Sequence, residues 1–141
     1  MAAKTTQSAN DVLNYILRNV APSWGALGTV YMSLHTGAVG VGGNQATNEA
    51  DYTSYARIAI TRSAGGGWTA AASSLSSNNA LIQFGNCTGG TLPMSILFAA
   101  IGENASGTGT VIYAGALAAT LVVNINTQPQ FAIGTAVVSE A

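Results

Sequence analysis

The sequence predicts an all-β domain, an antiparallel jelly-roll or β-sandwich preceded by one amphipathic helix. Three observations predict it. Only residues 8–21 carry the three-and-four spacing of a helix; short alternating or apolar stretches fill the rest; and clusters of Gly, Ser, Thr and Asn separate those stretches. The alternating helices that a parallel sheet needs for its crossovers are missing from the pattern.

The helix comes first. In "SANDVLNYILRNV", Ser8 is placed to cap, and Asp11 follows three residues later to return the hydrogen bond and complement the positive end of the helix dipole. Val12, Leu13, Ile16, Leu17 and Val20 then share one face, and Pro22 stops the pattern. That stripe has two uses: it closes one end of the sandwich, or Val12, Ile16 and Val20 dock on a sister subunit or another protein. Residues 1–7 read as an N-terminal tail.

The β-sandwich is expected over residues 27–138. "GTVYMSLH" puts Val30, Met32 and Leu34 on one face and Tyr31, Ser33 and His35 on the other, and "YARIAITRS" places Ile58 and Ile60 together. Further strands read at "GWTAAAS", "ALIQFGN", "SILFAAIG", "TVIYAGAL", "ATLVVNI" and "QFAIGTAVV". Turns read at "SAGGG", "SSLSSNN", "TGGTLP", "ENASGTG" and "NINTQP". No repeat or linker divides the chain, so residues 1–141 form one domain, long enough to bury about two-thirds of its unfolded surface.

Composition narrows the function. Charged residues are 6% of the chain, against about 25% in ordinary globular proteins, while the hydrophobic set is 48% and the net charge is -1. The surface must be mostly neutral, without the net charge that keeps free proteins apart, which points to a life bound to other molecules. Lys4, Arg18, Arg57 and Arg62 are scattered, and phosphate contacts need a basic patch, so nucleic acid is excluded as a partner. Cys87 is alone, which excludes an internal disulfide or a multi-cysteine metal site and reads as a small buried residue. No apolar stretch of a signal peptide precedes the helix, and "MSILFAAIG" is too short to cross a bilayer. The expectation is a protein made in the cytoplasm with no membrane partner.

The stretch from Ser33 to Arg57, "SLHTGAVGVGGNQATNEADYTSYAR", concentrates the chemistry-bearing residues. His35 with Glu49 or Asp51 and one of many serines nominally supplies a hydrolase set, but there is no G-x-S-x-G elbow and no Cys–His signature. His35 reads instead as a strand-ending residue that hydrogen-bonds across the loop mouth. Asn44, Asn48, Glu49 and Asp51 do not match a calcium loop, and "GVGG" and "GTGT" lack a P-loop lysine. No catalytic residue, cofactor or metal is expected. Tyr52, Tyr55 and Arg57 are residue types enriched at interfaces, although Arg57 pairing with Glu49 or Asp51 would instead pin the loop within its own domain. Trp24 and Trp68 serve as core or interface anchors. In a carbohydrate-binding sandwich, Trp68, Tyr52 and Tyr55 would stack on sugar rings.

The segments "VYMSLHTG", "NEADYTSYARIAI", "GGW", "ALIQFGN" and "GTVIYAGAL" together resemble a family of small virion proteins of tailed phages. That family shows a helix, an "LHT" strand, a loop ending in "NE", then "YAR", a tryptophan and a phenylalanine-ending strand. The likeness spans residues 8–138 and is specific as a combination. Such proteins are labelled tail fibre or tail accessory proteins, and similar ones are capsid cement, or decoration, proteins; the nearest likeness is to the cement proteins of short-tailed Bordetella phages. The resemblance implies a jelly-roll-like protein on the outside of an HK97-type capsid. There it would bridge neighbouring copies of the phage major capsid protein, as a homodimer or a trimer. A tail or tail-fibre component is the alternative. The proline usual after "LHT" is replaced here by "GAVGVGG".

Overall fold

The computed structural model describes residues 4–140. The elements are α1 (Thr6–Arg18), β1 (Thr29–His35), β2 (Ile58–Thr61), β3 (Leu75–Ser77), β4 (Ile82–Gln83), β5 (Met94–Gly102), β6 (Val111–Val123), β7 (Gln130–Phe131) and β8 (Val137–Ser139). The protein is mainly β with antiparallel sheets and one short N-terminal helix, as the sequence predicts. No helix among the described residues is long and apolar enough to cross a membrane.

The helix is shifted from its expected bounds. Thr5, not Ser8, is the N-cap: its extended backbone lets Oγ1 accept the Ser8 N–H at 3.3 Å, while its own hydroxyl donates to the Val111 carbonyl at 2.8 Å. Tying the cap to β6 starts the helix one turn early. Asp11 is therefore free of capping and accepts from Gln7 Nε2 at 2.7 Å and from the Trp24 indole at 3.1 Å. At the far end Asn19 adopts the left-handed conformation (φ 55°) and ends the helix ahead of Pro22. Of the expected tail, residues 1–3 lie outside the described residues, and Thr6 and Gln7 belong to the helix.

The apolar stripe does not close the end of a sandwich. Leu13, Ile16, Leu17 and Val20 are exposed, Ile16 and Leu17 at 70% and 74%. The helix meets the body through Thr5 and Ser8, both buried, with Val12 half-buried beside them. That contact face is rotated away from the stripe.

β2, β1, β5 and β6 form one antiparallel sheet in that order, and two ribbons, β3–β8 and β4–β7, complete the β structure. A single main core joins them: Val30, Met32, Leu34, Ile60, Ile96 and Ile101 from the sheet meet Ile82, Phe84 and Ala136, with Phe131 and Val138 packed alongside. Trp24 and Trp68 are half-buried against the same core. Cys87 is buried and unpaired.

Some strands differ from the sequence reading. "GWTAAAS" contributes only isolated bridges at Trp68 and Ala72, whereas β3 forms inside the expected turn "SSLSSNN". "TVIYAGAL" and "ATLVVNI" are one strand, β6, because no turn former separates them; the join is a bulge in which Leu97 of β5 faces Leu117–Thr120. "QFAIGTAVV" splits into β7 and β8 around a turn at residues 133–135. The two ends of the described chain meet, with Lys4 forming an ion pair with Glu140, whose other oxygen accepts from the Tyr113 hydroxyl at 2.5 Å.

Candidate interaction surface and the loop that frames it

β1 does not alternate as a half-exposed strand would. Ser33, Leu34 and His35 are all fully buried, because the loop of residues 36–57 folds over the face that the core does not use. His35 is bridged to Glu49 across the loop mouth. Its Nδ1 donates to the Thr47 carbonyl at 2.8 Å, which leaves Nε2 to accept the Ser33 hydroxyl, also at 2.8 Å. Burial holds the His35 pKa below its ordinary 6.5, against the opposing pull of the Thr47 carbonyl and Glu49. The ring is thus a neutral, two-bond clasp between strand and loop.

Glu49 and Arg57 form the electrostatic centre. Arg57 Nε donates to Glu49 Oε1 at 2.6 Å and Nη2 to Oε2 at 2.7 Å, a bidentate pair in which the Arg57 side chain is 2% exposed. The same guanidinium donates to the carbonyls of Asn104 (2.9 Å) and Gly107 (2.6 Å), which binds the loop to the turn between β5 and β6. Tyr55 donates to Glu49 Oε1 at 2.9 Å and accepts the Leu34 N–H at 3.1 Å. Chiefly through burial, its phenol is pushed above the ordinary tyrosine range, and the Tyr52 phenol is pushed up to about 12. Tyr52 donates to the Gly85 carbonyl and meets Tyr55 edge-on at 5.4 Å between ring centroids, and Tyr55 stacks on Phe84 at 6.1 Å. Of the three loop residues weighed as contact formers, Tyr52 and Arg57 are buried and Tyr55 half-buried, so these side chains build the loop's own frame.

One residue of that frame escapes a reading by residue type. Gln45 is fully buried, accepting the Asn104 N–H at 2.8 Å and donating to the Asn104 carbonyl at 3.2 Å. Glycines make room for it: a Cβ on Gly102 would lie 2.2 Å from Gln45 Cδ, and one on Gly109 2.3 Å from Oε1. The pair "IGEN" and "GTGT" is the only trace of this plug in the sequence.

The other loop candidates are dispersed. Asn44 accepts the Ala46 N–H, Asn48 donates to the Ala38 carbonyl, and Asp51 is exposed. Among the described residues no cluster of three or more His, Cys, Asp or Glu could hold a metal ion. Large apolar side chains also face outward. Leu13, Ile16 and Leu17 of α1 and Val20 just past its C-cap are exposed, as are Val41, Leu97, Val122 and Ile133 elsewhere. Val12, Ile16 and Val20, the helix residues weighed for docking, are respectively half-buried, exposed and exposed.

No curated protein matches the chain. A family model does, the podophage GP4 fiber I protein gp80, over residues 3–139. Helix, β1, loop and both ribbons all fall within that match. The chain thus belongs to the podophage GP4 fiber I protein (gp80) family, and is a structural protein of the phage virion.

Proposed function

We propose that the chain is a subunit of a fibre at the tail of a short-tailed phage, held to its neighbours by apolar contacts and catalysing no reaction. The family match over nearly the whole chain carries this reading. The surface supports it, since exposed large apolar side chains gathered along one helix are the mark of a contact face. In this reading the fibre subunit runs no reaction. It needs rigidity and repeated contacts, each tenfold in affinity requiring about 1.4 kcal/mol per copy. The His35 clasp and the Glu49–Arg57 pair supply rigidity to the loop, and the α1 stripe supplies a patch through which identical copies, in twos or threes, pack against one another or against another virion protein.

Gold-labelled antibody against the protein, imaged on intact virions, tests the reading. Label confined to the tail is expected. Even coverage of the head would replace it with the cement role, in which the protein bridges neighbouring major capsid subunits from outside.

A further inference from the structure

The four-stranded sheet has two edges, β2 and β6, and they are unequally guarded. β2 is four residues long, is followed by Arg62, and gives its last carbonyl to the Gly67 N–H at 3.0 Å. Shortness, charge and cover are the usual protections of an edge against strand pairing. β6 lacks all three beyond its start. It runs for 13 residues, against about 5–6 for a usual strand, with no charged residue and no proline. Thr5 covers its first residue by donating to the Val111 carbonyl, but among the described residues no backbone hydrogen bond links residues 112–123 to any segment except β5. On every second residue, then, an N–H and a carbonyl face away from β5 without a partner. The bulge adds to them, because Leu97 alone cannot pair the residues 117–120 opposite it. The side chains along this edge are uncharged, with Ala116, Ala118, Ala119, Thr120 and Val122 all exposed. Water satisfies such backbone groups but not their apolar neighbours, whereas a second strand satisfies both.

We propose that β6 pairs edge to edge with β6 of a second copy, antiparallel across a twofold axis, so that the two four-stranded sheets run on as one. The edge calls for a long, uncharged strand with its own side open, and among the described strands β6 alone combines these properties. Pairing β6 with β2 of the next copy would be head-to-tail and would not close, and the guards on β2 oppose it. The twofold pair sets no charge against a like charge. It also occupies the long edge of both copies, which leaves none for further growth. This surface is separate from the α1 stripe, and the pairing holds at head or tail alike.

Sedimentation equilibrium of the full chain should show a dimer. The double variant Ala116→Lys with Thr120→Lys, altered only at exposed side chains, should weaken that dimer about tenfold and leave melting unchanged. Native Cys87 is buried, so single cysteines placed in turn at Ala116, Ala118, Ala119, Thr120 and Val122 report which residue faces its own counterpart across the axis. Directly opposed strand residues have Cα atoms about 4.5–5.5 Å apart, within disulfide reach, so mild oxidation should link one position or two neighbours and spare the rest. The link should form equally with Ile16→Lys, which separates it from a contact through α1. This scan serves even if the lysine variant fails to fold. A monomer at every concentration, a trimer, an unaltered dimer in the folded lysine variant, or equal cross-linking at all five positions overturns the proposal. A chain that is monomeric alone, yet no longer joins the virion once the lysines are present, would give the edge to another virion protein, which also overturns it.

Discussion

Arg57 makes four hydrogen bonds, two to one carboxylate and two to carbonyls of the β5–β6 turn. Removing it would leave Glu49 partly buried without its counter-charge, so Arg57→Ala should cost about 3–5 kcal/mol in urea unfolding. Arg57→Lys should recover little of that, because an ammonium cannot reproduce the fork. His35 carries a pH dependence of definite sign. Its folded pKa lies below the value of about 6.5 it has when unfolded, so the unfolded chain binds protons first as pH falls. Its contribution is whole above pH 6.5 and declines as acid approaches the folded value. Urea midpoints at pH 7.5 and 5.0 should therefore differ more for the native protein than for His35→Asn. The internal Glu49–Arg57 pair was legible in the sequence as one of two options, since in a chain with so few charges a buried cation has few partners to choose from. Gln45 was not legible. It carries no charge, and the atoms it meets at Asn104 lie 59 residues further on.

At the scale of elements, α1 and the β5–β6 hairpin behave oppositely to substitution. Ile16→Lys and Leu17→Lys fall on exposed positions, so melting should move by no more than about 0.5 kcal/mol, while sedimentation should show association weakened. A large loss of stability would mean that the stripe packs inward after all. Gly102 tolerates nothing larger: Gly102→Ala drives a methyl into Gln45 and should cost about 1–3 kcal/mol, a loss that adding Gln45→Ala should partly restore. The helix was readable from its periodicity, but its start was not. The cap is decided by the bond from Thr5 to Val111, a contact across the fold. β3 was missed for a related reason. Leu75–Ser77 has the composition of a turn, and only pairing with β8 makes it a strand.

Over the whole molecule, the shortage of charge sets how the proposed association of copies would respond to salt. Association through apolar faces is not screened by ions, so sedimentation profiles at 0.05 and 1 M NaCl should match or show larger species at high salt; dissociation at high salt would point to ion pairs instead. The all-β class was legible from the spacing of turn clusters, whereas the division into one four-stranded sheet and two ribbons depends on pairings between distant segments. The meeting of Lys4 and Glu140 has a mechanical meaning. A pull applied at residues 4 and 140 acts first on that single ion pair and on Tyr113, peeling the chain open from one corner rather than shearing the four-stranded sheet. The same adjacency makes the path of the backbone nearly a closed ring. A short peptide joining residue 140 to residue 4 would complete it, and new ends opened at the exposed tip around Gly107 would leave each strand of the sheet intact.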